Sequence, residues 1–264
     1  MNSEELQLLP VQSGSGAPVS IAYRFRKPKE NRPTFVWFCG YNSKMESQKA
    51  GEVSRWTGEA GAGCLRFDYS GHGRSAGRFE DGTISAWLDE AAAVYSAALK
   101  PEETAVFAGS SMGGWIALLL AQRLAKEGRP LPKAIVLIAP AWDMTRLIWN
   151  RLPAEARAAI ERDGMFYRPS PYGEEAYPIT KALLDDGALH LFGEGPIAID
   201  APVRILHGAQ DPDVPWRHSL GLMDMMAAQD VRLTLVKDGE HRLSRPQDLA
   251  LLRAALSEFL EATP

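Results

Sequence analysis

The sequence predicts an α/β protein, a mostly parallel, doubly wound sheet of about eight strands with a small cap insertion. Three observations lead there. Short β-rich runs alternate with helix-period segments along most of the 264 residues. The runs in the middle are nearly all apolar, as strands covered on both faces must be. The alternation then stops across residues 142–201 before it resumes. The chain therefore reads as one domain in three pieces: core 1–141, cap insertion 142–201 and core 202–264.

Each element follows from its local pattern. VSIAYRFR (19–26) alternates apolar and polar, which predicts an antiparallel strand at the early edge with one solvated face. TFVWFC (34–39), GCLRFD (63–68), TAVFAG (104–109) and AIVLIA (134–139) form the buried, parallel centre. VRILHG (203–208) and VRLTLV (231–236) complete the sheet. Helices are expected at 45–60, 84–99, 113–127, 216–228 and 247–261, with Gly128 stopping the third. The insertion is rich in proline (Pro153, Pro169, Pro171, Pro178, Pro196, with Pro202 just beyond) and in aromatics (Trp142, Trp149, Phe166, Tyr167, Tyr172, Tyr177, Phe192). It reads as a cap, or alternatively as a long crossover with surface helices.

Charge and cysteine usage exclude several function classes. The 33 acidic and 29 basic residues are mixed along the chain and give a net charge of −4. No basic block tracks a phosphate backbone, so nucleic acid is not an expected partner. The first ten residues, MNSEELQLLP, have neither the basic start nor the apolar core of a signal peptide, and no apolar run is long enough to span a bilayer. A soluble, cytoplasmic protein without stable membrane insertion is the expectation. Cys39 and Cys64 form no C-x-x-C pair, which argues against a disulfide scaffold or a structural zinc site. Both read as small buried side chains.

The chemistry concentrates at GSSMGGW, residues 109–115, where a β-rich run meets a helical one. A G-x-S-x-G nucleophile elbow holds its serine on a sharp strand-to-helix turn. Only the frame Gly109-Ser110-Ser111-Met112-Gly113 has both glycines, since centring it on Ser110 would require them at Ala108 and Met112. Ser111 is therefore the candidate nucleophile. A serine hydroxyl needs a base to take its proton and a carboxylate to orient that base. Asp211 follows the run 203–208, and His241 follows the run 231–236. The chain order serine, acid, histidine is that of a known hydrolase arrangement. Rivals remain open at this stage: Asp213 and Asp143 for the acid, a plain surface-loop role for His241, and Cys39 as a nucleophile. His207 reads as a strand-end packing residue; His72, His190 and His218 read as structural or exposed. Two backbone N–H groups must hold the developing oxyanion, and Met112 and Tyr41 are the candidates.

These motifs resemble the serine hydrolases of the α/β-hydrolase superfamily, in particular the branch of the mitochondrial palmitoyl-protein thioesterase and acyl-glucuronide esterase. The resemblance rests on the G-Y loop at 40–41, RFDYSGHGRSAG at 66–77, GSSMGGW at 109–115, DPDVP at 211–215 and GEHRLS at 239–244, covering roughly 34–120 and 203–250. It implies the α/β-hydrolase fold and a Ser111, Asp211, His241 triad. The insertion has no matching motif and is expected to set substrate choice, with Trp149 and Phe166 facing the acyl pocket.

The resulting expectation is a hydrolase of carboxylic esters or thioesters, on small molecules or acylated proteins, working through an acyl-serine without cofactor or metal. A serine peptidase or amidase is the alternative within the enzyme class. A catalytically silent binding protein of the same fold is the alternative outside it. The acyl group, leaving group and oligomeric state are left open by these motifs.

Overall fold

The computed structural model describes residues 4–12, 17–169, 176–193 and 195–261. Pro171 and Tyr172, counted above among the prolines and aromatics of the insertion, lie outside them. The core is one eight-stranded sheet in the order β1-β2-β4-β3-β5-β6-β9-β10. Its strands are β1 (Leu6–Val11), β2 (Val19–Arg26), β3 (Thr34–Phe38), β4 (Gly63–Phe67), β5 (Ala105–Ser110), β6 (Ala134–Ile138), β9 (Val203–Gly208) and β10 (Val231–Val236). A separate hairpin, β7 (Met165–Arg168) and β8 (Tyr177–Thr180), lies in the insertion. β1 and β2 run antiparallel to their neighbours and all other pairs in the main sheet are parallel.

Burial explains which strands the sequence announced. β3, β4, β5, β6 and β9 are buried at every position, matching runs that are apolar except mainly for Arg66 in β4 and Arg204 and His207 in β9. β10, at the far edge, is largely open to solvent. The edge beside β2 is β1, which the sequence reading missed. LQLLPV carries Pro10 and exposes Leu6 and Leu8, so it lacks both the alternation and the burial that mark a strand. Strand pairing with β2 and the packing of Leu9 and Val11 on the core hold it, helped by Glu4, whose carboxylate bridges Arg26 and Arg66.

The helices are α1 (Gln48–Glu59), α2 (Ile84–Ala98), α3 (Met112–Lys126), α4 (Met144–Arg151), α5 (Ala154–Asp163), α6 (Lys181–Gly187), α7 (Trp216–Met225) and α8 (Pro246–Ser257). From β3 the chain steps outward through α1 to β4, then returns through α2 to β5 on the other side of β3. Right-handed crossovers in opposite directions put α1 and α2 on opposite faces. The strand order reverses between β3 and β5, and ligands of such sheets bind at the carboxyl ends of strands at this switch point. Large buried side chains, among them Phe35, Trp37, Phe38, Phe67, Trp87, Phe107 and Trp115, fill the space between sheet and helices. α4 and α5, the β7–β8 hairpin and α6 belong to residues 142–201. No helix among the described residues is long and apolar enough to cross a membrane.

Candidate active site

The turn between β5 and α3 is shaped by its glycines. A Cβ on Gly113 would lie 2.1 Å from the Phe38 carbonyl oxygen, and one on Gly109 would lie 2.5 Å from the Gly113 carbonyl oxygen. Neither position can carry a side chain, so strand, turn and helix pack backbone against backbone. Between them Ser111 takes φ 56° and ψ −123°, a conformation that L-residues avoid at a cost of about 1–3 kcal/mol. The turn is fixed by the Ser111 N–H donating to the Ile138 carbonyl at 2.9 Å and the Ala141 N–H donating to the Ser111 carbonyl at 3.1 Å. Ser110, the last residue of β5, remains buried in the strand register, opposite Ile138.

A second close approach brings the acid and the histidine together. β9 and β10 are parallel neighbours, and a Cβ on Gly208 would lie 2.4 Å from the Gly239 carbonyl oxygen. The Gln210 N–H donates to that same carbonyl at 2.8 Å, so the loops that leave the two strands are zipped at their base. Their tips then converge on Ser111. His241 Nδ1 lies 2.7 Å from Asp211 Oδ2, and His241 Nε2 lies 3.1 Å from Ser111 Oγ. With the carboxylate accepting at Nδ1, the Nδ1–H tautomer leaves Nε2 free to accept the serine hydroxyl's proton.

Asp211 is saturated with donors. Oδ1 accepts the N–H groups of Asp213 and Val214, each at 2.8 Å, and Oδ2 accepts from both His241 and His207. Burial pushes its carboxyl upward, but the hydrogen bonds from His207, His241 and the Val214 backbone outweigh it and hold the group well below the usual carboxylate range. The rival acids are engaged elsewhere. Asp213 pairs with Arg168 at 3.1 Å. Asp143 is buried, accepts the Phe192 N–H at 3.0 Å and pairs with Arg146. Cys39 is buried, donates weakly to the Phe67 carbonyl, and burial pushes its thiol above the usual range, the opposite of an activated nucleophile.

The loop after β3 lies against the elbow: a Cβ on Gly40 would sit 3.1 Å from the Ser110 carbonyl oxygen and 3.3 Å from Ser111 Cβ. Tyr41 follows directly, and Met112 opens α3. Neither N–H donates a hydrogen bond to another group among the described residues. The loop is braced from behind by His72 of the 66–77 motif. Its Nδ1 lies 3.0 Å from the Ser70 carbonyl, so it donates there, and Nε2 then accepts the Asn42 N–H at 3.2 Å. Burial lowers the His72 pKa to about 4, which keeps the ring in this one-proton form near neutral pH. Asp68 of the same motif accepts the Met45 N–H at 2.6 Å and the Arg74 N–H at 2.8 Å.

Ser111 and His241 open into a cleft of about 640 Å³ between the sheet and α4. Met144, Leu147, Ile148 and Arg151 line it, spaced three, one and three residues apart along one face of α4. Here the sequence reading is corrected. Trp149 points to a different face of α4, and Arg157 stacks over its ring at 5.4 Å. Phe166, paired across the hairpin with Ile179, packs with Trp149 on a small apolar cluster inside the cap built around Leu152, Ala156, Ile160 and Ile179. Neither Trp149 nor Phe166 lines the cleft. The reading also missed two cap arginines. Arg168 reaches Asp213, and Arg151 donates to the carbonyls of Pro212 and Asp213, so both clasp the loop that bears Asp211. The helical phase of 144–151 could have separated Leu147 and Ile148 from Trp149; nothing local points to the arginines' partners 45–62 residues away.

Ligand atoms of Asp211, Asp213 and His241 lie within 4.8 Å of one another, a spacing that could hold a metal ion. The hydrogen bonds fit another use. A cation there would have to displace Arg168 from Asp213 and break the link between Asp211 and His241.

The comparisons with known proteins agree with this architecture. The mitochondrial palmitoyl-protein thioesterase ABHD10 of Homo sapiens is 30% identical over 238 residues, 90% of this chain and 76% of that protein. A putative hydrolase from Agrobacterium vitis S4 superposes with a TM-score of 0.92 at 44% identity, covering 98% of this chain and all of that one. Mouse alpha/beta hydrolase domain-containing protein 10 superposes with a TM-score of 0.84 at 30% identity, covering 96% of this chain and 97% of its own. The sequence model of the alpha/beta hydrolase family matches residues 41–251, and the chain belongs to that family.

Proposed function

We propose that the protein hydrolyses carboxylic esters or thioesters through an acyl-Ser111 intermediate, with His241 as general base and acid and Asp211 as its orienting carboxylate. The observation that carries this reading is the continuous hydrogen-bonded chain from Ser111 Oγ through His241 to Asp211 Oδ2. His241 Nε2 takes the hydroxyl proton as Ser111 Oγ attacks the acyl carbon. Asp211 stabilises the imidazolium so formed. The oxyanion is held by the N–H groups of Tyr41 and Met112, which donate to no other group among the described residues. His241 then protonates the leaving oxygen or sulfur, and a water activated by the same nitrogen cleaves the acyl-enzyme. No step draws on a cofactor or a metal.

The cleft suggests the substrate class. Met144, Leu147 and Ile148 offer an apolar wall for an acyl chain. Lys49, Arg151, Arg168 and Arg242 stand around the cleft with Asp213 as the one carboxylate among its lining residues, a setting for a polar or anionic leaving group. The thioesterase named among the relatives acts on palmitoyl-protein, which supports an acyl thioester or ester here. Hydrolysis rates for matched esters, thioesters and amides of rising acyl length test the reading. Rates that climb from acetyl and then level off, with amides slowest, are expected. Faster cleavage of amides than of matched esters would instead assign a peptidase or amidase.

A further inference from the structure

Asp211 is oriented by more than its own loop. His207, near the end of β9, is fully buried, and its Nε2 lies 3.1 Å from Asp211 Oδ2 and 2.9 Å from the Val214 carbonyl oxygen. Two acceptors face this nitrogen, so it carries the hydrogen. On the other side, Nδ1 lies 2.6 Å from Ser219 Oγ, on α7 and also fully buried. With the hydrogen on Nε2, Nδ1 accepts from the Ser219 hydroxyl. The structure thus holds one chain of hydrogen bonds, Ser219 to His207 to Asp211 to His241 to Ser111.

From this geometry, and resting on the catalytic reading above, we propose that His207 is a positioning residue for the orienting carboxylate, with Ser219 fixing its tautomer. His207 donates to the same oxygen, Oδ2, that receives His241 Nδ1–H. Oδ1 is anchored by two backbone N–H groups, so the carboxylate is pinned at one end. Without a donor at the other end it can pivot about that anchor, and the His241 ring loses its fixed partner. Val214, whose carbonyl shares Nε2–H, belongs to the acid loop too, so His207 also ties that loop to β9. His207, Asp211 and Ser219 lie behind the cleft and none lines it. Their loss should therefore reach the reaction step and not substrate binding.

Isosteric substitutions separate positioning from packing. A glutamine at 207 places its amide N–H₂ near the Nε2 position, whereas an asparagine places it near Nδ1, facing Ser219. For kcat, His207→Gln is expected to stay within about threefold of the parent and His207→Asn to fall about 10–100-fold, the range that outer-shell partners of reacting groups show elsewhere, with KM unchanged in both. Ser219→Ala, which removes only the donor to Nδ1, should lower kcat about threefold or more at unchanged KM, and it decides the matter if His207→Asn does not fold. Equal losses in the Gln and Asn variants, a loss carried in KM, or full activity in Ser219→Ala would overturn the proposal. Asp211→Asn run in parallel separates the two layers: if it stays active, the catalytic reading itself fails, whereas if it is dead while His207→Asn keeps its kcat, only the positioning role falls.

Discussion

The elbow at 109–113 and the cap helix α4 face each other across the cleft, and they are specified in different ways. At the elbow the backbone itself is the constraint. Gly109 and Gly113 have no room for a Cβ, Ser111 sits at positive φ, and the geometry tolerates almost no alternative residue. At α4 the constraint is rotational phase: Met144, Leu147 and Ile148 meet the cleft because they share a face, and other apolar residues could fill the same wall. The elbow is held by close backbone approach, whereas the apolar wall needs only the right periodicity. Substitutions of Gly109, Ser111 or Gly113 should abolish function or folding, and substitutions along the wall should tune it.

The largest expected effects fall on the reacting groups. Ser111→Ala should lower turnover by about 10⁴ to 10⁶, and Ser110→Ala should change it little, because Ser110 remains in the strand register of β5. Asp211→Asn should cost about 10⁴ in kcat through loss of the orienting acceptor. Asp213→Asn, which weakens the pairing with Arg168, should cost no more than about 100-fold, the range of one charged hydrogen bond. Steady-state kinetics on one activated ester compares all four.

Next come the glycines. Gly113→Ala places a Cβ 2.1 Å from a backbone oxygen with no flexible neighbour to give way, so the expected cost is about 3 kcal/mol or more in denaturant unfolding, or no soluble protein. A mild effect would show that the elbow relaxes more easily than its contacts imply.

The cap should respond more gently. Each acyl methylene buried against α4 is worth about 0.8 kcal/mol, or roughly fourfold in kcat/KM. Leu147→Ala and Ile148→Ala should flatten the rise with chain length while leaving acetyl-ester hydrolysis nearly unchanged. Trp149→Ala should lower stability and keep the length profile, since Trp149 packs inside the cap. A flattened profile in Trp149→Ala alone would reverse the assignment of the wall.

The effect with the least bearing on the reaction falls on stability. His72 is buried and His218 half-buried, and burial lowers each pKa to about 4 from the ordinary 6.5. Below pH 6.5 the unfolded chain takes up protons that the folded state refuses until about pH 4, so stability is full above that window and falls as pH drops through it. The slope is about 1.4 kcal/mol per pH unit for each proton. His72→Gln should make the pH dependence of unfolding shallower between pH 6.5 and 4, as read by urea denaturation.

How much the sequence told depends on the same contrast. The serine frame was legible because Gly109 and Gly113 are spaced for one serine only. Asp211 and His241 were legible as a pair because each follows a strand, the buried β9 and its edge neighbour β10, and loops after neighbouring parallel strands converge. β1 was illegible because only Leu9 and Val11 reach the core while Leu6, Leu8 and Pro10 face solvent, so its pattern neither alternates nor runs apolar throughout. Trp149 and Phe166 misled because aromatic content says that a cluster exists without saying which way it faces. His207 was read as strand-end packing because its partners Asp211, Val214 and Ser219 lie on the loop and helix that follow, and their approach is a property of the folded chain.

Every role proposed for the site depends on Ser111, and not its neighbour, being the nucleophile. Mass-spectrometric mapping of the adduct formed by a fluorophosphonate probe tests it most directly. A single modification on Ser111, lost in Ser111→Ala and His241→Ala and retained in Ser110→Ala, is the expected result. An adduct on Ser110 or on any other residue, or undiminished labelling of the Ser111→Ala variant, would contradict it.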